Sequence, residues 1–218
     1  MGARFISERA ISDRVISDRR ILIAAIAAIA ACIALGLVVQ AGWLQMLDLS
    51  VAGAMGRTSA SPLAQPMIWV SALGGGTLRW VLVSLLIAAL WWRVNRDTAI
   101  AMLIAALGSN IVSSALKIAF AVPRPDLLPH LDPVGSPSYP SGHATNAAAV
   151  YLLLALLVPP RWRVGAMTAA IAAILLNGAS RMMLNVHWLS DILGGSLLGT
   201  GFALLGWIYL RRGRPNPN

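Results

Sequence analysis

The chain has 218 residues, of which 58% are hydrophobic and 11% charged, with a mean hydropathy of +0.73. A soluble domain carries about twice that charged fraction, so length and low charge together indicate a single integral membrane unit. The formal net charge of +9 does not indicate a nucleic-acid partner. The Arg residues sit at the ends of apolar runs, and no basic stripe with interleaved aromatics occurs.

Residues 1–20 form a basic segment that precedes an apolar run at 21–39. That run is long enough to cross a hydrocarbon core of about 30 Å. It has no clear small-residue cleavage site, so it reads as a retained helix and not as a signal peptide. The single cysteine, Cys32, lies within it, which excludes an intrachain disulfide and a multi-cysteine zinc site. Cys32 reads as a small apolar packing residue.

Residues 43–76 are less regular, with Pro62, Pro66 and a Gly74-Gly75-Gly76 run. They are expected to form interfacial helices, a re-entrant or seventh span being the competing arrangement. Five further apolar runs follow, at about 78–92, 98–116, 143–158, 164–180 and 189–210. In lipid every backbone polar group must be satisfied within the segment, so such runs are helices. The expectation is an all-α bundle of six transmembrane helices over 21–210, with an extra interfacial helical segment between the first two and a tail at 211–218.

With six spans and an inner N-terminus, twelve of the 17 Arg and Lys residues lie inside and five lie outside. This satisfies the positive-inside rule and places both termini in the cytoplasm of a bacterial-type inner membrane. Three of the outer cations, Lys117, Arg124 and Arg181, cluster at one level. Positive charge kept on the disfavoured side implies a bound anion.

Three segments meet at that level: residues 117–125 (KIAFAVPRP), residues 140–143 (PSGH) and residues 180–191 (SRMMLNVHWLSD). Ser141 is a good N-cap for the helix that follows Pro140, and Gly142 lets a ligand approach the backbone. The helix start is itself an anion site, and Arg grips phosphate oxygens bidentately. His187 and Asp191 are spaced i, i+4, so on a helix they share a face. A carboxylate on one imidazole nitrogen fixes the tautomer and frees the other nitrogen for attack. His143, at the same level, can protonate a leaving oxygen. Asp126, His130 and Asp132 read as solvated loop residues. Gly194, Gly195 and Gly199 read as sites of close helix packing.

The patterns K-x6-R-P, P-S-G-H and S-R-x5-H-x3-D resemble the signature of the type 2 phosphatidic acid phosphatase family, membrane lipid phosphatases whose site is shared with vanadium haloperoxidases. The resemblance covers about residues 75–205 and is matched in order by Lys117, Arg124, Pro125, Pro140, Ser141, Gly142, His143, Ser180, Arg181, His187 and Asp191. It implies His187 as nucleophile, Asp191 as its orienter and His143 as general acid. Lys117, Arg124, Ser141, Gly142, His143 and Arg181 would hold phosphate, with no metal or other cofactor.

The implied activity is hydrolysis of a lipid phosphate or diphosphate at the periplasmic or extracellular face, through a phosphohistidine. Polyprenyl diphosphates such as undecaprenyl diphosphate, phosphatidate and phosphatidylglycerophosphate are the candidate substrates. The alternative is an anion or lipid transporter using the same cationic vestibule. The sequence sets no oligomeric state, and no role is carried over to residues 43–76.

Overall fold

The computed structural model describes residues 2–213, with side chains from Val15 onward. The side chains of Arg4, Arg9, Arg14 and Arg214, counted above for orientation, lie outside the described residues. The described residues are all-helical: α1 (Gly2–Gln40), α2 (Gln45–Met55), α3 (Ala64–Gly74), α4 (Gly76–Arg93), α5 (Arg96–Leu103), α6 (Ser109–Phe120), α7 (Gly142–Leu157), α8 (Pro160–Met183) and α9 (Leu189–Gly213). A π-helical turn, Ile104–Gly108, joins α5 to α6 within one continuous rod. The apolar run at 98–116 gives no sign of this widened turn. It falls where Gly108 meets the ring of Phe202.

Among the described residues, five helical stretches are long and apolar enough to cross a membrane: Val15–Gln40, Gly76–Arg93, Arg96–Phe120, Pro160–Met183 and Leu189–Gly213. A sixth apolar helix, Gly142–Leu157, is shorter. The irregular stretch after α1 resolves into the short helices α2 and α3. The Gly75-Gly76 pair, with Gly76 at φ +60°, turns α3 directly into α4. Glycine takes such a backbone angle without strain.

Helix α9 is the axis of the bundle and packs against α1, α5 and α7. Glycine costs a helix about 1 kcal/mol relative to alanine, yet α9 carries Gly194, Gly195, Gly199, Gly201 and Gly206. Each is a point of close contact: Gly194 with Tyr139, Gly195 and Gly199 with α7, Gly201 with α1 and Gly206 with α5. A Cβ on Gly199 would lie 2.2 Å from the Thr145 carbonyl oxygen of α7, and one on Gly201 would lie 2.6 Å from Ile29 of α1. A Cβ on Gly206 would lie 2.6 Å from the Ala101 carbonyl oxygen of α5. Small residues allow this backbone approach where lipid removes the hydrophobic drive for association.

The buried core is correspondingly fine-grained, built around Ala101, Ala105, Ala144, Ala147, Ala148, Ala149 and Ala203. Large apolar side chains such as Ile23, Ile26, Leu85, Trp92, Val164 and Leu175 point outward, as a lipid-facing surface requires. Asp18 on α1 pairs with Arg211 on α9 at the far end of the bundle.

Because the α7–α9 contact is backbone to backbone, it cannot absorb a methyl group by rotamer change. Gly199→Ala is expected to cost about 1–3 kcal/mol through overpacking, read as a lower thermal unfolding midpoint in detergent. Gly165→Ala, at a position with open space around it, serves as the control and should not lower the midpoint.

Candidate active site

Helix α6 ends at Phe120 because Ala121 takes a left-handed backbone, φ +48°. Residues 121–141 then run without regular structure to α7. Their backbone is held by the cations of the site. Lys117 Nζ donates to the carbonyls of Pro137 at 2.6 Å and Ser138 at 3.0 Å. Arg124 Nε donates to the Ser136 carbonyl at 2.8 Å, and its Nη1 donates to the Val186 carbonyl. The Tyr139 hydroxyl, fully buried, donates to the Cys32 carbonyl and anchors the loop on α1. The Tyr139–Pro140 peptide is cis.

Ser141 caps α7, its Oγ accepting from Ala144 N–H at 3.5 Å. The N–H of Ser141 donates to the carbonyl of Asp191 at 3.0 Å, which joins the start of α7 to the start of α9. The fully buried Ser141 therefore lies behind the wall formed by Gly142 and His143.

His187 and Asp191 do meet, but not as two residues on one helix face. α9 begins at Leu189, so His187 belongs to the loop before it. The contact arises because Asp191 sits in the first turn and folds back. Its Oδ2 accepts from the Trp188 N–H at 2.8 Å, from His187 Nδ1 at 3.1 Å and from the Ser138 hydroxyl. The bond to Trp188 is half of a capping box, in which a side chain in the first turn satisfies the N–H of the capping residue. The loop enters this turn through Asn185, whose φ of +63° is tolerated by Asn better than by most residues. Asn185 Nδ2 donates to the carbonyls of Arg57 at 2.8 Å and Pro129 at 3.0 Å.

With Nδ1 on the carboxylate, the other imidazole nitrogen, Nε2, lies 3.3 Å from Arg124 Nη1. Burial, and then the cations Arg124, Arg181 and Lys117, hold the His187 pKa well below 6.5. The ring is therefore neutral, with a lone pair on Nε2.

Lys117, Arg124, Gly142, His143, Arg181 and His187 all line one cavity of about 450 Å³. Ser141 and Asp191 support it from behind. Three cations, a helix start and two imidazoles around one cavity can hold a phosphate and stabilise charge that develops on it. The same cavity also carries Arg79, Asn110 and Ser113, which are not part of the sequence constellation.

Residues 43–76 contribute more than their irregular sequence suggests. Asp132, read above as solvated, pairs with the buried Arg181, and both meet the hydroxyl of Ser71 on α3. The absence of a side chain at Gly75 leaves room for His143, since a Cβ there would fall 1.7 Å from His143 Nε2. Asp48 on α2 accepts from Ser190 N–H at 3.0 Å and from Ser190 Oγ at 2.6 Å. It thereby caps α9 from another helix, beside Asp191. Burial outweighs these hydrogen bonds and raises the Asp48 pKa above its ordinary value.

Asp48→Ala would leave both Ser190 donors buried without an acceptor. The expected loss is about 1–3 kcal/mol, measured as a lower thermal midpoint in detergent. An undisturbed midpoint would show that the cap contributes nothing.

The PAP2 superfamily model matches residues 98–215. Over 113 residues the chain is 34% identical to the lipid A 1-phosphatase of Rhizobium johnstonii, a match that covers 48% of this chain and 44% of that protein. The corresponding Rhizobium etli protein matches equally well, with 47% of its length covered. The chain thus spans less than half the length of these relatives. It is 31% identical over 143 residues to phosphatidylglycerophosphatase B of Bacillus subtilis, covering 63% of this chain and 70% of that protein.

The fold resembles that of the transmembrane PAP2 type phosphatidylglycerolphosphate phosphatase from Bacillus subtilis, with a TM-score of 0.77 at 24% identity over 87% of this chain and 97% of that one. It also resembles Aquifex aeolicus LpxE, with a TM-score of 0.61 at 23% identity over 74% and 94% of the two chains. With the family model spanning residues 98–215 and the Bacillus subtilis relative covered over 70% of its length, the chain belongs to the PAP2 superfamily.

Proposed function

We propose that the protein is a membrane lipid phosphatase that cleaves a lipid phosphate or diphosphate through a phosphohistidine on His187. The observation that carries this reading is the His187 imidazole. Its Nδ1 is held by Asp191 and its Nε2 stands beside Arg124, at a cavity shared with Lys117, Arg181 and His143. Relatives named lipid A 1-phosphatase and phosphatidylglycerophosphatase B support the substrate class.

In the proposed reaction the neutral Nε2 attacks phosphorus while Asp191 stabilises the imidazolium that forms. Lys117, Arg124 and Arg181 take the charge on the non-reacting oxygens. Ser141 contributes through the helix turn it caps, which presents Gly142 to the phosphate. His143 protonates the departing lipid oxygen and then activates the water that releases phosphate from His187. As the family resemblance implies, the proposed scheme uses no metal.

The reading is tested by phosphate release from a lipid phosphate in detergent. His187→Ala should abolish turnover with every substrate, and label from a radioactive phosphate should be trapped on residue 187 of the parent protein under non-acidic quench. His143→Ala should lose much less activity on an aryl phosphate, whose leaving group needs little protonation. Vanadate should inhibit and a chelator should not. Because burial and three cations depress the His187 pKa, the nucleophile stays neutral as pH falls through 6.5. The acidic limb of kcat/KM assigned to it should therefore lie below 6.5, after correction for the substrate's second phosphate ionisation near 6. Label on residue 143, or full activity in His187→Ala, would overturn the assignment.

The proposed topology has six crossings, formed by α1, α4, the α5–α6 rod, α7, α8 and α9. The termini are cytoplasmic and the cavity opens to the outer side. Twelve of 17 cationic residues then lie inside, as the positive-inside rule favours. Single cysteines at Gly135, on the cavity rim, and at Arg161, between α7 and α8, are introduced in a Cys32→Ser background. A membrane-impermeant thiol reagent applied to intact cells should label only position 135. Labelling confined to position 161 would invert the topology.

A further inference from the structure

The cavity is larger than the cradle of Lys117, Arg124 and Arg181 requires, and its remaining wall is also polar. Asn110, Ser113, Ser114 and Lys117 line it from α6. Their i, i+3, i+4, i+7 spacing puts them on one face of a helix whose only other polar residue is Ser109. Ser113 is 2% exposed, and its Oγ has no hydrogen-bond partner among the described residues. A hydroxyl left unpaired in an apolar helix is costly, and this one borders the cavity.

Arg79 faces it from the first turn of α4. Its Nη1 lies 3.4 Å from the Gly142 carbonyl, and its guanidinium stacks 4.7 Å from the Trp80 ring centroid. Its Nε is buried and has no partner among the described residues. An arginine at a helix end ordinarily snorkels to the interface. This one instead turns toward Gly142, the residue next to His143, and so lies on the side where the leaving group departs.

We propose that Arg79, Asn110 and Ser113 form a subsite for a second phosphate, the one that links the scissile phosphate to the lipid. The site thereby favours lipid diphosphates over monophosphates. This rests on the phosphatase reading above. His187 Nε2 bonds to the terminal phosphorus, and the bond from that phosphorus to the bridging oxygen breaks. The electron pair stays on the bridging oxygen, where negative charge develops as His143 delivers its proton. Arg79 offsets that charge, as a guanidinium can by paired hydrogen bonds to phosphate oxygens. Water then hydrolyses the phosphohistidine to inorganic phosphate and neutral His187, with no redox step.

The test compares a prenyl diphosphate with the prenyl monophosphate of the same chain, in detergent, for the parent, Arg79→Gln and Ser113→Ala. The parent should prefer the diphosphate. Arg79→Gln should lose at least about tenfold more kcat/KM on the diphosphate than on the monophosphate, as expected for a lost charged hydrogen bond. Ser113→Ala should shift the same ratio in the same direction by less, and decides the matter alone if Arg79→Gln does not fold. Inhibition by inorganic pyrophosphate should weaken in Arg79→Gln more than inhibition by orthophosphate. Equal losses on the two substrates, or no loss, would overturn the subsite and leave the phosphatase reading standing. A parent that releases phosphate from neither substrate would overturn the phosphatase reading and the subsite with it.

Discussion

One carboxylate oxygen organises the site. Asp191 Oδ2 receives the imidazole of His187, the hydroxyl of Ser138 and the backbone N–H of Trp188. The carbonyl of the same residue receives the N–H of Ser141. A single residue thus joins the loop after α6, the start of α7 and the start of α9, the three segments that carry the polar chemistry. Asp191 is fully buried, and a charge buried in an apolar bundle is tolerated only when its hydrogen bonds are made. The groups that satisfy Oδ2 are the ones that align the imidazole, while Oδ1 has no hydrogen-bond partner among the described residues.

The cations around the cavity are held in a similar way. Each is extended by hydrogen bonds to backbone carbonyls or by an acid that lies outside the cradle. Lys117 and Arg124 bind carbonyls of the loop at 136–138, and Arg181 is braced by Asp132 and Ser71. Such bonds pre-orient the donors, so in the proposed reaction a phosphate would meet groups already in place, at a lower reorganisation cost. The carbonyl partners are neutral dipoles, so they leave the net positive charge of the cavity intact. Asp132 reduces it, but from the far side of Arg181.

Much of this was legible in the sequence, and the reasons are specific. Apolar run length revealed the long helices, because lipid leaves the backbone no alternative to helix. Asp191 and His187 were legible as a pair through their spacing, although the spacing misled about geometry. The first-turn carboxylate reaches back across a capping turn, and helix periodicity does not describe such a turn. Ser138 left no signal, since a serine two residues before a proline in a long loop looks like any other turn former. Arg79 belongs to none of the three sequence motifs. Its direction depends on the Gly75-Gly76 turn, which sets the azimuth of α4. Asp132 was read as solvated because nothing local indicates a partner 49 residues away.

The least legible part is the role of α2 and α3, which lie outside the family-matched residues 98–215. Their sequence is apolar, short and broken, so it carries neither a span nor a motif. Yet α2 supplies Asp48 to cap the helix bearing Asp191, and α3 supplies Ser71 behind Arg181. The glycine that follows α3, Gly75, supplies only space, and His143 occupies it. These contributions are a hydrogen-bond acceptor, a hydroxyl and an empty volume. Each can be delivered by many sequences once a short helix is docked there. The groups of the proposed reaction tolerate no such freedom, because attack on phosphorus would require particular atoms. The division between a signature-bearing half and an unremarkable supporting half therefore follows from what each is asked to provide.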